Sequence, residues 1–319
     1  MNKPIYKLHD WININNLNWD YISINPHPHA LNLLKENPDK INWFCLCLNQ
    51  NPDIIEIILM DNNIKKVYWS LLSMNNDNRI LELLLENPDK IDWNMLSSNS
   101  NAKAVKLLLE NPDKIDWYMF SKNSNEDAFA YLRKNPDKIN WFILSSENKN
   151  KNVINFLKEH PDKLNLKYLL ENDNEVVVNF ILSNIKNIRI NLDLLSNNEN
   201  NKIISYLKKH PNIINWDNLS SNNNPNAVSL LIKNKNKIHW LKLTDNYNNE
   251  IISLFKENPK KTNWNLLSGN PGIFTYDYTR MNLNFYSMAE EITAKALHPK
   301  RIFKLIETYG EDEIYNHYF

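Results

Sequence analysis

The chain has 319 residues, 42% of them hydrophobic and ten of them tryptophan, so it has enough apolar material to exclude wholesale disorder. Lysine plus arginine equals aspartate plus glutamate at 37 each, which leaves no global field to draw in a polyanion or an anionic membrane. No apolar run reaches the roughly twenty residues of a membrane span, and the start at Met1 lacks the pattern of a secretory signal, so a cytosol-like compartment is expected.

Residues 1–16 hold Trp11 outside any regular spacing and read as an N-terminal cap over the exposed face of the first repeat. Over residues 17–270 a pattern of roughly 24 residues recurs about eleven times. Its anchors are Trp19, Trp43, Trp69, Trp93, Trp117, Trp141, Trp216, Trp240 and Trp264, with Leu166 and Leu192 filling the two gaps. A large apolar residue stands three places on, from Ile22 and Leu46 to Leu267, on the same face of a short predicted helix. Asn or Asp just before most anchors (Asn18, Asn42, Asp92, Asp116, Asn140, Asn165, Asn191, Asn215, Asn263) offers an oxygen to the free amides and marks the helix start. Six places after the anchor another Asn recurs, as in Asn25, Asn49, Asn75, Asn99, Asn123 and Asn222. There the helix ends, and Asn is expected to take the left-handed conformation of the turn.

A second helix follows, with apolar pairs such as Ile80, Leu81, Leu83 and Leu84 in a broad stripe of helical period. It stops at Asn87-Pro88, Asn111-Pro112 or His210-Pro211, because the residue before a proline is pushed out of the helical region. Neither helix encloses a core alone, so stability must come from stacking. The expected fold is all-α, a right-handed-type α-solenoid of about eleven two-helix repeats with terminal caps, its indoles and aliphatics sealed between successive hairpins and no β-sheet. Asn184-Ile185-Lys186 and Asn234-Lys235-Asn236 lack the proline, so the middle follows the pattern less closely. All three glycines, Gly269, Gly272 and Gly310, lie beyond the last anchor. Residues 271–319 read as a C-terminal cap, with an aromatic break from Pro271 to Asn284 and one or two helices from Ser287 to Phe319. Asparagine is abundant at 59 residues, a bias that A+T-rich coding would produce without any chemical role.

The string Asn-Pro-Asp-Lys-Ile-Asp-Trp runs from Asn87 to Trp93, returns from Asn111 to Trp117, and nearly returns from Asn135 to Trp141. It resembles a family of tandem-repeat proteins encoded by giant DNA viruses of the mimivirus type, as does the closing stretch from Ile273 to Tyr278. The resemblance implies a viral origin and residence in the host cytoplasm, at the viral factory, or in the virion. It lends no catalytic residues.

Phosphate-cradling loops need glycine, and none precedes Gly269. The eight histidines show no zinc-protease or cysteine-histidine spacing. His27-Pro28-His29 with Cys45 and Cys47 is the one set that would approximate a soft-metal cluster, against ordinary loop and core roles, and no metal or cofactor is expected. Two cysteines diverging on one helix also exclude a disulfide framework. Serines one place past the buried leucine (Ser73, Ser97, Ser121, Ser145, Ser196, Ser220, Ser268) repeat with the fold and read as bonding helix-end carbonyls. The Asp-Lys pairs at Asp39, Asp89, Asp113, Asp137 and Asp162 also repeat, which removes them as acid-base candidates. A tryptophan ladder suits base stacking, but within an apolar stripe it reads as core.

The position after the anchor varies, from Asp20 and Phe44 to Leu241 and Asn265, and variation inside a strict repeat is where binding specificity can reside. Phe44, Tyr118 and Phe142 either form an aromatic patch for a partner or pack between helices. The expected function is a non-enzymatic scaffold for another protein, viral or host. The alternatives are a structural virion or assembly component, and a nucleic-acid binder using a local basic stripe such as Lys106, Lys114 and Lys122 or Lys202, Lys208 and Lys209.

Overall fold

The computed structural model describes residues 4–60, 62–185, 192–311 and 314, and of residues 249 and 284–292 the backbone only. Asn191, Lys186, residues 1–3 of the N-terminal cap and residues 315–319 of the C-terminal cap lie outside the described residues. The chain forms two compact units, Asp10–Ile273 and a smaller one made of Met1–His9 with Phe274–Phe319. The described residues are mostly helical, as expected, and among them no helix is long and apolar enough to cross a membrane.

In the larger unit a short helix alternates with a second, generally longer one: Trp19–Ile24 then Pro28–Glu36, Trp93–Leu96 then Ala102–Glu110, and so on to Trp264–Ser268. The short helices start as predicted. The Asn42 side chain accepts from the Cys45 amide at 3.1 Å and Asp116 from that of Met119 at 2.8 Å. Tyr68 takes this place before Trp69 without a side-chain cap, and after Leu192 the segment is a 3-10 helix, Asp193–Asn197. Where a proline follows, the second helix ends at the residue before it, and that side chain also closes the helix: Asn87 donates to the Leu83 carbonyl at 2.8 Å. The proline then opens a 3-10 turn, Pro88–Lys90, that leads into the next anchor. The apolar stripes meet in the core, where Leu72, Ile80, Leu81 and Leu84 are fully buried, each worth roughly 1.5–3 kcal/mol.

The tryptophans are not sealed there. Every anchor indole among them is half-buried, and lysines from following 3-10 turns lie over the rings. Lys40 sits 4.4 Å from the Trp19 ring centre, Lys114 4.2 Å from Trp93, Lys138 4.8 Å from Trp117 and Lys237 4.6 Å from Trp216. The expectation of enclosed indoles is thereby corrected. A four- to seven-residue helix is too short to cover an indole, and the lysine of the Asn-Pro-Asp-Lys turn completes the cover while its ammonium stays in water.

The asparagines six places after the anchor also depart from expectation. Asn25 has φ −66° and Asn49 φ −66°, both extended, and among the described residues Asn62 is the non-glycine with positive φ. A left-handed turn is not needed because the side chain makes the turn. Asn123 is fully buried; its amide donates to the carbonyls of Ser97 at 3.1 Å and Asn99 at 2.9 Å in the preceding unit, and its oxygen accepts from the Asn125 amide at 3.1 Å. The same donor pattern recurs at Asn49, Asn99, Asn172, Asn198, Asn222 and Asn246. It recurs at Asn148 as well, one place later than the spacing indicates because the helix Trp141–Glu147 is longer than its neighbours. Two residues on, a second row of asparagines caps the following helix and reaches back one unit, as where Asn224 accepts from the Asn226 amide and donates to the Glu199 carbonyl.

Serine four places after the anchor links the units too. Ser97 Oγ donates to the Trp93 carbonyl at 2.8 Å, as expected of helix-end bonding, and it also accepts the Asp116 amide of the next unit at 3.0 Å. Cys47 fills this place once, its Sγ accepting from the Tyr68 amide at 3.3 Å.

The last unit is bonded to the first in the same way. The Asn25 amide donates to the carbonyls of Ser268 at 2.9 Å and Asn270 at 3.0 Å, the Asn18 backbone N–H donates to Ser268 Oγ at 2.9 Å, and Trp19–Ile24 packs on Trp264–Ser268. Trp11 lies against Trp264, ring centres 6.0 Å apart, where other anchors carry a lysine. Beside this junction a Cβ on Gly272 would stand 2.8 Å from Ile252 Cγ1, so the close approach requires glycine.

The smaller unit corrects the expectation of purely helical caps. Strand β1 (Tyr6–Leu8) pairs antiparallel with β2 (Phe274–Tyr276), Tyr6 opposite Tyr276 with their rings stacked at 5.0 Å. Helices Tyr278–Ala296 and Pro299–Tyr309 follow, the first starting well before Ser287. Aromatic and β-branched residues in Phe274–Tyr276 favour the strand.

Candidate interaction surface

The residue after each anchor sits on the face of the first helix turned away from the core. Phe44 is 48% exposed, Tyr118 53% and Phe142 48%, so about half of each ring is open to solvent. Phe44 meets Tyr68 edge-on at 5.4 Å and Phe142 meets Tyr168 edge-on at 4.7 Å, each pair spanning two neighbouring units. Tyr68 and Tyr168 were missed in the sequence; the signal for Tyr68 was a break in the row of Asn and Asp caps. Leu241, at the same repeat position, is 52% exposed. Elsewhere on this face the side chains are polar: Asp20 accepts from the Asn42 amide at 2.8 Å, and Lys242 donates to Asn218 at 3.0 Å. The helices that carry these residues are held at both ends by the serine and asparagine bonds, so the rings stand on a rigid base.

The remaining candidates are placed apart. His27 caps Pro28–Glu36, its Nδ1 accepting from the His29 amide, while Cys47 accepts from Tyr68. Burial pushes both thiols up, that of Cys45 helped by Asp20, which disfavours the thiolates a soft metal needs. Among the described residues no group of three His, Cys, Asp or Glu is arranged to hold a metal ion. Asp89 pairs with Lys90 at 2.9 Å and Asp162 with Lys163 at 3.0 Å in exposed turns, and each lysine partner holds the carboxyl below its ordinary value. The lysines proposed as stripes separate as well. Lys106 lies on a second helix, Lys114 over Trp93, and Lys122 beside Glu147; Lys202 pairs with Glu175 at the start of the helix Asn201–Lys209, whereas Lys208 and Lys209 stand exposed at its end.

Burial, and secondarily the neighbouring His29, push the His27 pKa down to about 4, and Nδ1 accepts a hydrogen bond only while unprotonated. Below the ordinary value of about 6.5 the unfolded chain therefore binds the proton that the folded chain refuses. Stability is expected to fall as pH drops from about 6.5 to about 4, and His27→Asn, a non-titrating cap, should flatten that part of the profile in urea unfolding. An unchanged slope in the variant would remove His27 from the account.

No family model, curated protein or solved structure matches the chain.

Proposed function

We propose that the chain is a non-enzymatic scaffold for protein–protein interaction, an α-solenoid of eleven two-helix units closed on itself, which presents Phe44, Tyr118 and Phe142 to a protein partner. The observation that carries this reading is the half-exposure of these three rings at one repeat position on hydrogen-bonded helices. Aromatic side chains on a rigid base bring large contact area at little entropic cost, which is how interface anchors work. In a closed circuit the more closely spaced helices run at the smaller radius. First helices are joined through short Ser and Asn side chains, while second helices are bridged by longer pairs such as Lys103 with Glu82 at 2.9 Å and Arg133 with Glu159 at 3.1 Å. On this reading the aromatic rings face the centre, and the partner is a segment that enters it. In the giant-virus setting implied by the resemblance, the partner is a viral or host protein.

The test is crosslinking capture from infected cells with the wild-type chain and with Phe44→Ala/Tyr118→Ala/Phe142→Ala. The partner should be lost from the triple variant by about tenfold, the order expected when hot-spot rings are removed, with the far-ultraviolet spectrum and unfolding midpoint unchanged. Equal capture by the folded variant would refute the site.

A further inference from the structure

The zero net charge conceals one strongly basic edge. It runs along the ends of three consecutive second helices and the turns that follow them, where eight lysines face one glutamate, all exposed. Lys208 and Lys209 end the helix Asn201–Lys209; Lys233, Lys235 and Lys237 occupy the next unit; Lys256, Lys260 and Lys261 the one after, with Glu257. Lys235 reaches Glu257 at 2.9 Å across the unit boundary, so these turns share one edge.

The fold does not require this charge. In the units ending at Glu86 and Glu110 the corresponding places hold Glu86 with Asp89 and Glu110 with Asp113, with one lysine each, Lys90 and Lys114. The aspartate of the Asn-Pro-Asp-Lys turn becomes Asn212, Asn236 and Lys260 along the basic edge, so an acid is lost in all three units. Lys237 and Lys261 cover Trp216 and Trp240, and Lys235 is paired. Lys208, Lys209, Lys233, Lys256 and Lys260 have no such task; cations favour a helix C-terminus, but Glu86 and Glu110 show that these helices form without them.

We propose that this edge binds the phosphate backbone of a nucleic acid. Neighbouring helices stack at roughly 8–10 Å, so the ammonium groups recur along a line and suit an extended polyanion of regular charge. The edge holds lysine and no arginine, and lysine serves phosphate as a point charge, whereas arginine is the residue that grips carboxylates in bidentate fashion. A cleft of about 390 Å³ opens beside Lys209, lined also by Leu182, Lys202 and Tyr206, and gives a sugar or base an apolar wall next to the charge. The acidic edge of the units ending at Glu86 and Glu110 would repel the strand and confine it to this sector.

The experiment is fluorescence anisotropy of the full chain with labelled single-stranded RNA, single-stranded DNA and duplex DNA, titrated between about 50 and 200 mM salt. Binding is expected with log K falling against log salt at a slope of about −3 for single strands or about −4 for duplex, the values for four to five phosphates, and the three probes identify which form is held. Lys208→Glu/Lys209→Glu/Lys256→Glu/Lys260→Glu should weaken it by more than about tenfold at low salt. The Lys→Gln set at the same positions, gentler on the fold, should give a smaller loss of the same kind. Lys106→Glu/Lys151→Glu, exposed lysines outside the sector, should leave binding unchanged. Absence of salt-dependent binding, equal loss in the remote variant, or polyglutamate binding as tightly as nucleic acid would overturn the proposal, the last assigning the edge to an acidic protein. The aromatic face is not involved, so failure here leaves the scaffold reading standing.

Discussion

Replacing Asn123 with alanine is expected to lower the unfolding free energy by about 3–5 kcal/mol, since two buried carbonyls and a half-buried amide lose their partner and each costs about 1–3 kcal/mol, offset in part by water entering the space. The groups are the carbonyls of Ser97 and Asn99 and the amide of Asn125, gathered around a side chain with no exposed surface. No other side chain of the same size offers two donors and an acceptor in one plane. Asn123→Asp keeps the shape and sets a carboxylate against two carbonyl oxygens. Only the protonated acid can donate to one of them, so its folded pKa is raised above the ordinary carboxylate value of about 3.9. The folded variant then holds a proton that the unfolded chain releases, and its deficit relative to the wild type should widen as pH rises above about 4. Urea unfolding read by tryptophan fluorescence measures both. A change under about 0.5 kcal/mol in Asn123→Ala, the range of an ordinary surface substitution, would mean that the asparagine bonds do not hold the units together.

Much of the local structure was legible in the sequence because capping and period are local properties. Asn42, Asp92 and Asp116 announce helix starts two or three residues before the amides they serve, and Pro88 or Pro112 stops a helix by sterics within one residue. The partner of Asn123 was not legible. A bond to Ser97 connects residues more than a full period apart, and the repeat reveals that the position matters without revealing what it touches. An A+T-rich coding bias offered a second explanation for the asparagines, and the left-handed turn a third; only the buried donors at extended φ separate these. The lysine of each Asn-Pro-Asp-Lys turn was likewise visible as a repeated residue, but its place over the tryptophan that opens the same unit is a tertiary contact that the period does not reveal.

The aromatic surface was half legible. Variation at the position after the anchor pointed to Phe44, Tyr118 and Phe142, yet exposure depends on which side of a short helix faces its neighbours, and helical period alone left two answers. Tyr68 and Tyr168 sit at different repeat positions, one before its anchor and one two places after Leu166, so no single column of the repeat contains them. The strand pairing of Tyr6–Leu8 with Phe274–Tyr276 joins segments at opposite ends of the chain, each too short to carry a period. The bonds between the first unit and the last were the least legible feature, because they join residues at opposite ends of the repeat region.

Asn25→Ala tests that closure. In an open array the first unit has no predecessor, its asparagine meets water, and removing it costs a few tenths of a kcal/mol. With the first unit bonded to the last, Asn25 is fully buried and satisfies the carbonyls of Ser268 and Asn270 and the amide of His27. Its loss should then cost about 3–5 kcal/mol, as for Asn123. Hydrogen exchange reads the junction directly at the amide of Asn18, which is bonded to Ser268 Oγ. Asn25→Ala is expected to speed exchange at Asn18 while leaving Asp116, the equivalent amide bonded to Ser97 Oγ, protected. If Asn18 exchanges at the rate of a free amide in the wild-type chain, or if Asn25→Ala is as stable as the wild type, the circuit is open in solution and the central cavity of the scaffold reading falls with it.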